Sequence, residues 1–159
     1  MDTLKFRKQL QRHENYKNLR CAAEILINGI SLIKIIDGYQ KSHLIKPWHK
    51  DYEVSEYLYN DASELYRQLV HPLNADDVEQ TFEALICKTC CEQFCWSFEF
   101  EVIDNNEVAI WKNGQNPSLA GDEDTEASID YSQFPVFTFS KENYLEALDE
   151  LKSFDLQQR

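Results

Sequence analysis

Glycine is scarce in this sequence: four residues in 159, at 29, 38, 114 and 121, none of them grouped. A phosphate-cradling loop needs clustered glycines, whose bare backbone lets successive N–H groups face the phosphates, so that mode of nucleotide binding is excluded. No Gly-x-Ser-x-Gly elbow occurs, which removes the strained turn that presents a hydrolase nucleophile. Histidine is equally sparse and scattered, at 13, 43, 49 and 71, so the sequence offers no Cys–His nucleophile pair. No apolar run approaches the ~20 residues that span a bilayer. No apolar h-region follows the charged N-terminus, so no signal peptide is expected and a cytoplasmic protein is. Bases are outnumbered, 16 Lys and Arg against 28 Asp and Glu, a formal net charge of −12.

What is present describes a globular chain. At 159 residues it is expected to form one domain with its own core. Apolar residues make up 43% and aromatics 13%, too much for a disordered chain. The charge is uneven. Lys5, Arg7, Lys8, Arg12, Lys17 and Arg20 stand against Asp2 and Glu14 in residues 1–20, a net of +4. The remaining 139 residues therefore carry −16. Such a body repels nucleic-acid phosphates and anionic membranes, and favours a basic protein partner. Solubility alone is the ordinary explanation of an acidic balance, and it stands beside that reading.

The central stretch is Cys90–Trp111, CCEQFCWSFEFEVIDNNEVAIW. Phe98, Phe100 and Val102 alternate with Ser97, Glu99 and Glu101, the period of a half-buried strand. Asp104-Asn105-Asn106 supplies turn chemistry, and Val108, Ile110 and Trp111 begin a returning strand.

From the N-terminus, residues 3–20 predict a basic helix or arm with Leu4, Phe6, Leu10, Tyr16 and Leu19 along one edge. It would either contact a partner or pack on the chain's own acidic body. Residues 23–27 predict a strand, Asn28-Gly29 a tight turn, and Ser31–Tyr39 a mostly buried helix. Residues 41–60 read as loop, broken at Pro47. Trp48 there lies between His43 and His49, but no metal-ligand spacing accompanies them. Helices are predicted from Asp61 or Ser63 to Val70 and from Asp76 to Ile86. Residues 112–133 read as a long acidic loop, 134–139 as a strand, and 140–154 as a helix capped by Ser140. Four strands with flanking helices give an α+β fold, a small mainly antiparallel sheet in a single domain.

Four sulfurs fall in nine residues: Cys87, Cys90, Cys91 and Cys95. Structural zinc normally draws on two separated ligand pairs, and here all four thiols share one short segment with Cys21 far away. A zinc-stabilised adaptor or regulatory domain built on those four is the alternative reading. Buried free thiols are the plainer one. Glu99 and Glu101, two apart on one strand, imitate a catalytic carboxylate pair, although a solvated strand face has the same pattern.

Several landmarks together carry a resemblance. They are Leu26-Ile27-Asn28-Gly29-Ile30-x-Leu32, Cys90-x4-Cys95-Trp96, Val108-x-Ile110-Trp111, and Phe134-Pro135-x-Phe137-x-Phe139-x4-Tyr144-x2-Ala147-Leu148. They resemble a group of small, largely uncharacterised bacterial proteins with a Cys-Gly-x-x-Gly-Cys-Trp segment leading into a hairpin. Cys91 and Phe94 stand where that segment has its glycines. By size, charge and lack of an evident active site the chain also resembles immunity proteins of polymorphic toxin and contact-dependent growth inhibition systems. That resemblance implies a protein without enzymatic activity or cofactor that binds and neutralises a cognate toxin domain, expected to be a basic nuclease. The acids expected to face the toxin are Glu99, Glu101, Asp122, Glu123, Asp124, Glu126 and Asp130.

Overall fold

The computed structural model describes residues 1–12, 19–45, 57–70, 80–87, 97–121 and 129–156. Two antiparallel strands open it, β1 (Leu4–Arg12) and β2 (Leu19–Ile27), paired from Leu4↔Ile27 to Arg12↔Leu19. Where described, the helix expected over 3–20 is therefore a strand and the start of its partner, with 13–18 outside the described residues. The physical reason is written at the N-terminus: Leu4 and Phe6 are buried opposite Ile27 and Ile25, while Lys5 and Arg7, alternating with them, face out. Leu10, assigned to a helical edge, is 57% exposed. β2 is buried along its whole run from Cys21 to Ile27, so β1 gains a fully covered partner that no isolated helix would have.

Asn28 and Gly29 both adopt left-handed backbone angles, φ 54° and 81°. They form the two-residue connection between Ile27 and its partner Ile30, as a primed hairpin turn requires. The short β3 (Ile30–Ser31) leads straight into α1 (Leu32–Ser42). Ser31 makes no side-chain cap; the Tyr59 hydroxyl accepts from the Ile33 N–H at 3.2 Å and bonds Ser31 as well.

A second sheet runs β4-β5-β6-β7-β8, all antiparallel: β4 (Tyr57–Tyr59), β5 (Gln80–Cys87), β6 (Phe98–Asp104), β7 (Val108–Gln115) and β8 (Phe137–Ser140). Of the helix expected over 76–86, residues 80–86 belong to β5, and 76–79 lie outside the described residues. Phe82 to Cys87 is buried without interruption, and a strand covered on both faces loses the alternation that marks strands, leaving an apolar run that also fits a helix. The sequence-read hairpin 98–111 is β6 and β7, although β7 runs on to Gln115. β8 begins later than expected, because Pro135 has no N–H to donate to a ladder. Bridges Asp2↔Phe139 and Ala22↔Asp61 join the two sheets at both ends. Asp2 closes the first junction: its N–H donates to the Thr138 carbonyl at 2.8 Å and its carboxylate accepts from the Thr138 N–H at 2.9 Å.

Two further helices cover the sheets, α2 (Ala62–Val70) and α3 (Lys141–Leu156), packed on each other and on β5 and β1. Ser140 caps α3 as expected, its hydroxyl accepting from the Asn143 N–H at 3.1 Å. Asn143 in turn pins Leu4 through both backbone groups. The core is aromatic. Phe82 and Phe100 are cross-strand partners with rings 5.8 Å apart, and Trp111 lies 4.6 Å from Phe82. The buried Trp111 Nε1–H donates to the Tyr144 hydroxyl at 3.3 Å, which satisfies the indole inside an apolar layer. The fold is α+β, mostly sheet with flanking helices.

Two glycines predict opposite mutational outcomes. A Cβ on Gly114 would stand 2.6 Å from Phe100 Cε1 and 2.8 Å from Phe134 Cδ1, both buried rings. Gly114→Ala should cost about 1–3 kcal/mol through overpacking. Gly38 lies inside α1 with nothing within 4 Å of such a Cβ. Gly38→Ala should gain about 0.5–1 kcal/mol by restricting the unfolded chain. Urea denaturation of the two variants should move the midpoint in opposite directions.

Candidate functional site

The sheet is interrupted where β6 meets β7. Glu99 pairs with Gln115 but Glu101 pairs with Lys112, so β7 holds one residue more than β6 over this interval. That is a β-bulge, and Asn113 within it sits at φ 53°. Asn tolerates the left-handed region because its short polar side chain can bond locally. Here its Nδ2 donates to Glu101 Oε2 at 2.8 Å. A cleft of about 370 Å³ opens against the bulge. β6 contributes Glu101, and the bulge contributes Asn113, Gly114 and Gln115. Ala120 and Gly121 form another wall, and Asp130, Tyr131 and Ser132 the last.

The outer walls are held by local bonding. Asn116 accepts from the N–H groups of Ser118, Leu119 and Ala120, turning the chain directly after β7. Gly121 N–H donates to the Ile129 carbonyl at 3.1 Å, and Ile129 N–H to the Leu119 carbonyl at 3.0 Å. Asp130 accepts from the Ser132 N–H at 2.9 Å. That bond, with the Ser132 hydroxyl, holds its carboxyl below the usual range, and the nearby His43 adds to the effect. Asp130 is thus a firm anion at neutral pH. Glu101 has a basic neighbour, Lys112 Nζ at 3.9 Å, which offsets part of the cleft's negative charge.

Behind the cleft lies a buried polar network. The Tyr131 hydroxyl donates to Gln40 Oε1 at 2.7 Å, and the Tyr57 hydroxyl to the same oxygen at 3.0 Å. Asn116 Nδ2 donates to the Tyr57 hydroxyl at 2.8 Å. Gln40 and Asn116 are fully buried. Burial pushes the Tyr57 phenol up to about 12 and raises Tyr131 as well, so both are neutral hydrogen-bonding groups rather than acids or bases.

Of the acids expected from sequence, the cleft brings together Glu101 and Asp130, 29 residues apart. Glu99 does not line it. It faces its cross-strand partner Glu83, which is 5% exposed, and burial followed by the Glu83 charge raises its carboxyl. The Glu99/Glu101 pair is therefore divided between two surroundings. Asp122, Glu123, Asp124 and Glu126 lie outside the described residues, between the bonded ends Gly121 and Ile129. Cys90, Cys91 and Cys95 also lie outside them, as do Trp48 and His49. Cys87 is buried at the end of β5, and among the described residues no group of three or more His, Cys, Asp or Glu is placed to hold a metal. His43 stacks on Tyr39 with centroids 3.7 Å apart and its Nδ1 lies 2.9 Å from the Tyr39 carbonyl. The Ser42 hydroxyl lies at 2.9 Å from the same nitrogen, so the ring closes the C-terminal end of α1.

Sequence reasoning missed Asn113, Gln115, Tyr131 and Ser132. The Asn113-Gly114 dipeptide is a left-handed turn signal that marked the bulge, but it stood in a stretch read wholly as loop. Chemically the cleft is rich in acceptors. Ser132, Asp130 and His43 do not form a nucleophilic relay, which needs an imidazole between hydroxyl and carboxylate rather than a carboxylate between the other two. Comparison with protein-family models, curated proteins and solved structures finds no match to the chain.

The surroundings of Glu99 fix the sign of a pH effect. Folding raises its pKa, so the folded chain holds that proton more tightly than the unfolded chain. The stability linked to it is complete below the unfolded pKa and is lost as pH rises through the folded value. Glu99→Gln keeps the shape and removes the charge. Thermal unfolding should show the variant level with wild type below about pH 4 and more stable at neutral pH. Equal or lower stability at pH 7 would contradict the repulsion between Glu99 and Glu83.

Proposed function

We propose that this chain is an immunity-type protein that binds and neutralises a basic toxin domain by protein–protein contact, without an enzymatic step or a cofactor, in the cytoplasm of the cell it protects. The observation that carries the reading is the bulge cleft. It joins Glu101 and Asp130 from distant parts of a chain whose residues beyond position 20 total −16. Asp130 is anchored as an anion by backbone and hydroxyl donors, so it meets a cation without reorganising. The same overall charge that repels nucleic acid and anionic lipid steers a basic protein toward the surface. A nuclease domain is the natural class of partner, because a protein that grips phosphates carries the complementary basic surface. The long-range field governs encounter, and the cleft supplies a local point of attachment.

A tagged copy of the protein should capture the basic toxin domain encoded beside it, and co-expression should restore growth of cells producing that toxin. Capture should weaken as salt is raised, since screening shortens the reach of the field. Glu101→Lys and Asp130→Lys should each weaken the complex on the order of 30-fold, as expected when one member of an interfacial charge pair is reversed. No capture at low or high salt, together with no protection, would overturn the proposal.

A further inference from the structure

We infer that the bulge cleft is a socket for a single arginine side chain of a protein partner. The inference rests on the reading above that the partner is basic, and it assigns the point of contact. The cavity, about 370 Å³, is at the small end of the ligand-pocket range, suited to one side chain rather than to a helix or strand. Its polar groups come from three directions. Glu101 reaches it from β6, Asn113 and Gln115 from the bulge, and Asp130 with Ser132 from the segment after Ile129.

The bonds already made there decide what remains available. Asn113 spends an amide N–H on Glu101 Oε2, which leaves its amide oxygen as an acceptor. Asp130 receives the Ser132 N–H on Oδ1, and a carboxylate has further lone pairs on both oxygens. The complement of two carboxylates and side-chain amide oxygens on opposite walls is a planar cation with donors on several edges. A guanidinium has five N–H donors in a fixed fork, whereas an ammonium is a compact, strongly hydrated point charge. Lys112 Nζ already lies 3.9 Å from Glu101, a point charge beside a cleft that Glu101 and Asp130 both line. A guanidinium is also more weakly hydrated than an ammonium, so it loses less on entering a cleft.

The test titrates the full-length ¹⁵N-labelled protein with N-acetyl-arginine amide, and in parallel with the lysine and citrulline analogues. Citrulline has arginine's shape without its charge. Saturable shifts should appear at the amides of Gly114, Gly121 and Ser132 with arginine, more weakly with lysine, and not with citrulline. The isosteric double variant Glu101→Gln with Asp130→Asn should weaken the arginine response at least tenfold. Asn at 130 can still accept from Ser132, so an unchanged amide spectrum elsewhere will confirm that the variant folds. Absence of saturable shifts, shifts centred elsewhere, or an equal response to citrulline would overturn the socket. The two levels separate cleanly. If the toxin domain binds wild type and double variant alike, the socket falls and the immunity reading stands. If arginine amide binds in the cleft but the toxin domain is not captured, the immunity reading falls and the socket stands.

Discussion

One carboxamide oxygen is shared by parts of the chain that lie far apart in sequence. Gln40 Oε1, fully buried, accepts from Tyr57 on β4 and from Tyr131 in the segment after Ile129, 17 and 91 residues away. Asn116, at the end of β7, joins through Tyr57. A buried amide and two buried phenols are costly unless each finds a partner, at about 1–3 kcal/mol for every group left unsatisfied. The network therefore permits one arrangement of α1, β4, the end of β7 and the Tyr131 segment, and penalises the neighbouring ones. The nearby Tyr39 extends it, donating its hydroxyl to the Asp130 carbonyl at 2.7 Å and accepting the Gln133 N–H at 3.2 Å. Asp130 is positioned by the same constraint, through its backbone, while its side chain remains at the cleft.

Charge follows a different logic from packing. Among the described residues the basic N-terminal stretch forms β1 and the start of β2 rather than a separate arm. Arg7 on β1 pairs with the buried Glu24 on β2, and Arg20 lies 3.2 Å from Asp61 and also bonds the Tyr59 carbonyl. The first pair crosses a hairpin and the second crosses the junction of the two sheets. Part of the +4 at the chain's start is thus spent on internal contacts, and most of the negative excess is left to the remainder of the molecule. Each pair has one solvent-exposed member, Arg7 or Asp61, and solvent screening limits what it contributes to stability. Arg20 has both a carboxylate and a carbonyl partner at the sheet junction, where it contributes to register as well.

Where local pattern and tertiary surroundings agreed, the fold was legible in the sequence. Phe98, Phe100 and Val102 alternate because one face of β6 is buried, and that is the reason the hairpin was readable. Asn28-Gly29 marked its turn because both residues need left-handed angles. α1, α2 and α3 carry apolar stripes at helical spacing against one covering layer each. Residues 3–12 and 80–87 failed for opposite reasons. In β1 only Leu4 and Phe6 reach the core, too short an alternation to outweigh a scatter of apolar residues beyond it. In β5 burial on both faces erases alternation altogether. The cleft was half legible: acids at 101 and 130 were named for their charge, but their meeting depends on long-range bonds through Gln40, Asn116 and Ile129 that no local pattern records.

The bulge explains why a polar cleft can stand on an aromatic core. Side chains on a strand alternate, so Lys112 and Gln115, three apart, would ordinarily point to opposite faces. The inserted residue resets that parity. Trp111 and Gly114 are buried against the rings, while Lys112 opposes Glu101 and Gln115 opposes Glu99 on the other face. Asn113 is the residue left out of the pairing, and its left-handed angle turns its amide to Glu101. Glycine at 114 then becomes necessary, because the bent strand presses directly on Phe100 and Phe134. A regular β7 would have kept the ladder intact and placed either Lys112 or Gln115 in the core. The irregularity is therefore the device that lets a sheet with an aromatic interior present carboxylates and amides together at one exposed point.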